Sequence, residues 1–226
     1  MVLRTGPRWG KDGQHLEWHN EPAWRLLDEQ LHTGLTRLPQ RTIAALEQAA
    51  IWPTGKLFHR EPMPTKAERS AWGIKKRSVL EGADLVFLDP DNGIGEETPK
   101  HATFREIKQL RQSGRAIVFI TFPGRNMKHP DLLRQLHERL ATETHAENLV
   151  TLRTSVMVLT AKGHYVPRLR WFTLIDADTV LTDRAKAFAE ILRSIPGAKA
   201  ELLIDAPTRA SENSTADPRR ANDPSL

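Results

Sequence analysis

Residues 84–95 read Asp84-Leu85-Val86-Phe87-Leu88-Asp89-Pro90-Asp91-Asn92-Gly93-Ile94-Gly95. The apolar run Leu85 to Leu88 is short, bulky and bounded by turn residues, the pattern of a strand buried on both faces as in a parallel sheet. Asp89, Asp91 and Asn92 then fall on a sharp turn at the carboxyl end of that strand. Open α/β sheets bind ligands in the crevice outside such ends. Pro90 restricts the backbone there, while Gly93 and Gly95 free it to approach a ligand closely. Asp-Pro and Asn-Gly also favour turns for purely structural reasons, but two acids, an amide and two glycines exceed what a turn requires.

Working outward, helical spacing predicts amphipathic helices over 22–33 and 40–51, with Trp24, Leu27 and Leu31 on the first and Ile43 and Leu46 on the second. Leu57-Phe58 reads as a short strand. A helix over 65–80 starts at Thr65 with Glu68 three residues on, the spacing of a capping box. Beyond the motif, Phe104, Ile107 and Leu110 mark a helix ended by Gly114, and Ala116 to Ile120 a second buried strand. A helix over 130–142, strands at 148–152, 155–160 and 169–175, a helix over 178–194 and a strand at 200–204 follow. The last two of those three strands are expected to be antiparallel around Lys162-Gly163-His164. Strands alternating with helices predict an α/β fold, a three-layer α/β/α sandwich with a mainly parallel central sheet. A first strand at Val2 to Arg4 completes the expectation. Residues 1–205 then form a single catalytic domain, and 206–226, rich in Ser, Pro, Asn and Asp, a disordered tail.

Composition narrows the chemistry. The chain has 226 residues and no cysteine, so disulfides, thiolate zinc sites and cysteine nucleophiles are excluded. No apolar run approaches a membrane span and the N-terminus lacks a signal-peptide stretch, which predicts a cytoplasmic protein with no membrane partner. The formal charge is +5 and the sequence pI about 9.7. Basic clusters at 75–77, 111–115, 125–128 and 168–170 point to a polyanion, with DNA the leading partner.

The turn Asp89-Pro90-Asp91-Asn92-Gly93-Ile94-Gly95 resembles the water-activating Asp-Pro-Tyr-His-Gly-x-Gly motif of uracil-DNA-glycosylase-like enzymes. Asp89, Pro90, Gly93 and Gly95 match in spacing, and Asp91 and Asn92 replace Tyr and His. The resemblance implies a DNA glycosylase without metal or organic cofactor. Such an enzyme hydrolyses the bond between a base and its sugar, either in repair or against the modified bases of an invading phage. Asp89 would activate water and stabilise the oxocarbenium-like sugar, with Asp91 the alternate and Asn92 holding water or a base edge. The base must leave the stack, which calls for a platform and phosphate clamps. Phe122 is the candidate platform, Arg125 and Lys128 the clamps, and His164 the group facing the departing base. Asp12 and His15, on a glycine-flanked N-terminal loop, are further binding candidates.

Two other resemblances stay open. Asp84 to Pro90 is also similar to the Asp-Pro-Pro-Tyr segment of amino-methyltransferases, with Asp91-Asn92 in place of Pro-Tyr and no Gly-x-Gly for S-adenosylmethionine between residues 20 and 83. Glu106-Ile107-Lys108 resembles the Glu-x-Lys of metal-dependent nucleases, although it falls in a helical pattern. A lysine placed for imine chemistry is not evident beside the motif, so a monofunctional glycosylase is expected.

Overall fold

The computed structural model describes residues 22–40, 42–123, 128–159 and 163–205. The expected strand at Val2 to Arg4, the candidates Asp12, His15 and Arg125, and the expected disordered tail 206–226 all lie outside the described residues.

Along the chain come a 3-10 turn (Pro22–Leu26) and helices α1 (Glu29–Thr36) and α2 (Ile43–Gln48). A second 3-10 turn (Lys66–Glu68) leads into α3 (Arg69–Val79), which is followed by β1 (Leu85–Leu88), α4 (Phe104–Leu110) and β2 (Ala116–Thr121). Then follow α5 (His129–Thr144), β3 (Leu149–Leu159), β4 (Tyr165–Ile175), α6 (Thr179–Ser194) and β5 (Ala198–Asp205). Asp28 caps α1, Thr42 caps α2 and Asp178 caps α6, each through a side-chain oxygen that accepts from a backbone N–H. The capping box expected at Thr65 does not form. Thr65 Oγ1 donates to Glu68 Oε2 at 2.9 Å instead of serving the backbone, so the chain enters α3 through the 3-10 turn. A complete capping box stands at α4, where Thr103 and Glu106 satisfy each other's backbone N–H groups.

The five strands form one sheet in the order β1-β2-β4-β3-β5. β1 and β2 are parallel, with Leu85 opposite Ala116, and are joined by a crossover that carries α4. The pairs β2/β4, β4/β3 and β3/β5 are antiparallel. The protein is therefore mixed α/β with a mostly antiparallel sheet, not the mainly parallel sandwich expected. The misreading has a physical cause. One face of the sheet packs Val86, Leu88, Ile117, Phe119, Leu149 and Ile175 against Phe104, Ile107 and Leu110 of α4 and Leu136 and Leu140 of α5. Val150 and Leu174 face the other way, with Leu181 and Ala185 of α6. Antiparallel strands covered on both faces lose the alternation of a half-exposed sheet and take on the continuous apolar character of parallel ones. The segments 148–152 and 155–160, expected as two strands, are one long strand, and Leu57-Phe58 is not a strand.

Two positions seat the Asp89 turn. Arg115, 1% exposed, donates to the carbonyls of Ala83 (2.7 Å), Leu110 (2.8 Å), Leu80 (2.6 Å) and Glu81 (2.6 Å). It thereby satisfies the carbonyls left at the ends of α3 and α4 just before β1 and β2 begin. Gly93 lies at φ 82°, and a Cβ there would stand 3.1 Å from the Thr121 Cα. The turn after β1 consequently rests directly on the end of β2. Gly93→Ala combines left-handed strain with a backbone clash and is expected to cost about 1–3 kcal/mol. A urea denaturation midpoint unchanged by this substitution would contradict that seating.

Candidate active site

The turn is fixed by its own backbone. Asn92 N–H donates to Lys100 O (2.9 Å), Gly95 N–H to Ala102 O (2.9 Å) and Ala102 N–H to Gly93 O (3.1 Å), so 92–95 and 100–102 run as a short paired ribbon. Pro90 and Gly93 are buried, while Asp89, Asp91 and Asn92 are exposed. Although Asp89 as a residue is exposed, its carboxyl is partly hemmed in. Desolvation first, and the neighbouring Asp91 second, hold it above the usual carboxylate range, with Arg170 pulling the other way.

Beneath the turn is a cavity of about 40 Å³ lined by Asp89, Asp91, Glu106, Lys76, Trp72 and Met63, among others. That is room for a water or two, far short of a base or a nucleotide cofactor. Its floor is a buried charge cluster. Arg69 Nε donates to Glu106 Oε1 (2.8 Å) and Nη2 to Oε2 (2.9 Å), and the same guanidinium donates to Thr98 O and His101 O, both at 2.5 Å. Lys76 Nζ stands 3.8 Å from Glu106 Oε1 and 4.5 Å from the centre of the Trp72 ring. Burial lowers the Lys76 pKa to about 8, against the pull of Glu106. Burial tends to raise the Glu106 carboxyl, but the Arg69 hydrogen bond and the Lys76 charge prevail and hold it below the usual range. His59 packs edge-on against Trp72 at 4.9 Å with both ring nitrogens unpartnered, and its pKa is lowered chiefly by burial.

β4 lies outside the cavity lining, on the side of Asp89 that Arg170 reaches. Its pairing with β2 ends at Thr121 opposite Trp171, so residues 165–170 extend past the carboxyl end of β2. Arg170 is the first residue of that overhang. Its guanidinium lies 4.5 Å over the Phe122 ring, and it acts electrostatically on Asp89. Its pKa is lowered by burial and by Arg168, and raised in part by Asp89. Arg168, two residues away and exposed, points to the same face of the strand.

The structure thus brings Asp89 and Asp91 together at one cavity, with Asn92 beside them on the turn and Phe122 at the adjoining strand end. One face of Phe122 is already covered by Arg170. Lys128 is exposed just before α5. His164 immediately precedes β4, eight residues from Phe172, which the strand registers put level with Asp89, roughly 26 Å along an extended strand. It is not assembled with the carboxylates. Of the basic clusters, 111–115 turns inward. Arg111 pairs with Asp176 (2.5 Å) and Arg115 serves helix-end carbonyls, so neither offers charge to a polyanion. Lys76 is likewise internal. Glu106 faces the cavity while Lys108 is exposed near His145 Nε2 (3.1 Å), which separates the halves of the Glu-x-Lys pattern. Among the described residues no group of three or more acids and histidines is placed to hold a metal ion.

Sequence reasoning passed over Lys76, Trp72 and Arg170 as site residues. The signal was present on α3, where Arg69, Trp72 and Lys76 share the buried stripe at helical spacing, two cations interrupting an otherwise apolar face. Two larger grooves, about 1010 Å³ beside α1 and α2 and about 960 Å³ between α5 and β5, lie away from the motif. No family model, curated protein or solved structure matches this chain.

Because the folded state resists ionising Asp89, the charged carboxylate costs stability once pH rises through the window above its unfolded value, and that cost persists at neutral pH. Asp89→Asn is therefore expected to melt higher than the parent at pH 7, with the difference closing below about pH 3.9, where the acid is protonated in both states. A lower melting temperature at pH 7 would show that the carboxylate is held, not strained.

Proposed function

We propose that this protein is a hydrolase acting on DNA, a glycosylase that cleaves the N-glycosidic bond of a base, a modified base of invading phage DNA included. The observation that carries the reading is the water-sized cavity bearing Asp89 and Asp91 at the carboxyl ends of a parallel strand pair. Hydrolysis of a glycosidic bond needs a held water and a negative charge beside the sugar as it becomes oxocarbenium-like. A carboxyl whose pKa is raised is a stronger acceptor of the water proton than an ordinary one. Asp89 accepts the water proton, Asp91 supplies the adjoining negative field, and Asn92, exposed on the same turn, meets the base edge or the sugar. Arg168 and Arg170 would take the phosphates, and Arg170 also carries Phe122 as a stacked pair against which a base could lie. A cytoplasmic enzyme free of cofactor fits this chemistry.

The amino-methyltransferase reading keeps the Asp84 to Pro90 frame in its favour. A cavity of about 40 Å³ beside Asp89 offers no seat for a nucleoside-sized methyl donor among the described residues.

The deciding experiment is incubation of the full chain, without added metal or cofactor, with ordinary and phage-modified DNA, followed by mass spectrometry of released bases. Free base is the expected result. Asp89→Asn should lower the release rate by at least about 100-fold while DNA affinity is retained; undiminished turnover would move the site elsewhere. If base appears only with S-adenosylmethionine present, or methylated DNA appears instead, the methyltransferase reading replaces this one.

The phosphate role makes a separate prediction. Arg168→Ala and Arg170→Ala should each weaken DNA binding and reduce the slope of log K against log salt by about 1. An unchanged slope, read by fluorescence anisotropy across salt concentrations, would remove this strand from the interface.

A further inference from the structure

The β3/β4 hairpin outruns the sheet that holds it. β4 loses β2 beyond Trp171, and β3 loses β5 beyond Met157, whose N–H donates to Gly197 O at 3.1 Å. β3 and β4 nevertheless stay paired as far as Leu159 opposite Tyr165. Their outer ends are thus a two-stranded ribbon with no third strand beside it among the described residues. Packing does not account for the extra length, since Met157 is 41% exposed, Tyr165 66%, and Pro167 and Arg168 are exposed as well. The charge of this stretch is also one-sided. From Thr154 to Phe172 the sequence has Lys162, Arg168 and Arg170 and no acid, in a chain of 28 acids over 226 residues. Cations can keep bare strand edges from pairing with another chain, but that task does not require acids to be left out. Arg168 and Arg170 alternate onto one face of β4, and Arg170 acts on Asp89, so the cationic face is the one beside the Asp89 turn.

We propose that this ribbon is an arm that lies along the major groove of duplex DNA next to the target base, which makes double-stranded DNA the substrate of the Asp89 site. The proposal rests on the reading that the site acts on DNA. A two-stranded ribbon fits the major groove, about 12 Å wide, and not the minor groove, about 6 Å wide. From Phe172, level with Asp89, to His164 the arm covers roughly 26 Å of extended strand, which is about eight base pairs of duplex at about 3.4 Å each. Arg170 and Arg168 then meet the phosphates nearest the target base, and the end of the arm at Tyr165 lies beside base pairs further out. Contacts of this kind fix the register of the enzyme on the duplex without touching the base that is released.

The chain has no cysteine, so Tyr165→Cys creates a single attachment point for an alkylating nitrogen mustard at an exposed position. The probes are a fluorescent duplex several times the length of the arm and its two separated strands. The labelled full chain is expected to form adducts at guanine N7, which faces the major groove. Replacing 158–166 by an Asn-Gly turn should lower duplex affinity, read by anisotropy, about 10-fold and leave single-strand affinity unchanged. Tyr165→Glu, which sets a negative charge against the DNA on an exposed site, should weaken duplex binding in the same sense in a chain whose urea midpoint matches the parent. Adducts at adenine N3 on the minor-groove side, or no adduct, would overturn the proposal, and so would a parent that binds single strands as tightly as duplex. Binding to phosphatidylserine vesicles that Tyr165→Glu abolishes, with no binding to DNA, would assign the arm to a membrane surface instead. None of these readouts needs a base to be released. Adducts at guanine N7 with no free base from any substrate would keep the arm and remove the glycosylase; base release with no adduct would do the reverse.

Discussion

The guanidinium of Arg69 is the constraint on which the site depends. From the first residue of α3 it reaches the first turn of α4 and the loop at Thr98 and His101 at once. The start of α3 and the continuous stretch from Thr98 to Glu106, 29 to 37 residues further on, are held at hydrogen-bond distance by one planar group, which suits arginine and would not suit lysine. Buried ion pairs seldom add net stability over well-packed apolar groups, yet breaking one strands a charge at a cost of about 3–5 kcal/mol. What the pair supplies is position. It sets Glu106 under the cavity, and Glu106 in turn allows Lys76 to be buried as a cation.

Much of the fold was legible because burial leaves a periodic trace. β1 lies over the four residues its apolar run marked, and α6 and β2 lie within a residue or so of their patterns. Strand direction left no such trace. Helices on both faces bury the Leu149–Leu152 end of β3 and the Trp171–Ile175 end of β4 much as a parallel strand is buried, and direction is set by the length of the connection: the short link from Leu159 to Tyr165 permits a hairpin, whereas Leu88 to Ala116 needs a crossover. Capping was legible in form but not in place. Thr65/Glu68 and Thr103/Glu106 share a spacing, and only the second pair has the buried backbone N–H groups that make the reciprocal bonds worthwhile.

The site was legible in its acids and hidden in its cations. Asp89 and Asp91 sit on a turn whose residue types announce it, but a lysine or arginine carries the same letter whether it meets solvent or a helix end. Arg111, Arg115 and Lys76 were counted as surface charge and are structural or internal. Arg170 belonged to a cluster that does face outward, and its relation to Asp89 emerges only from where β2 stops against β4. A carboxyl held away from its preferred ionisation, opposite a half-desolvated guanidinium, is the kind of local conflict that a fold tolerates where chemistry is done.

The strand order also bears on how the sheet would assemble. β3 and β4 meet through contacts close in sequence, from Leu159 opposite Tyr165 back to Leu149 opposite Ile175, so this hairpin can zip without closing a large loop. β1 stands at the end of the sheet's strand order and pairs with β2 only across the whole α4 crossover. During synthesis the strand carrying Asp89 leaves the ribosome before its neighbours, yet its docking waits on β2, which is itself steadied by the later hairpin. The segment that carries the Asp89 turn is thus made early and seated late, and an apolar strand left waiting in that interval is where misassembly of this protein would begin.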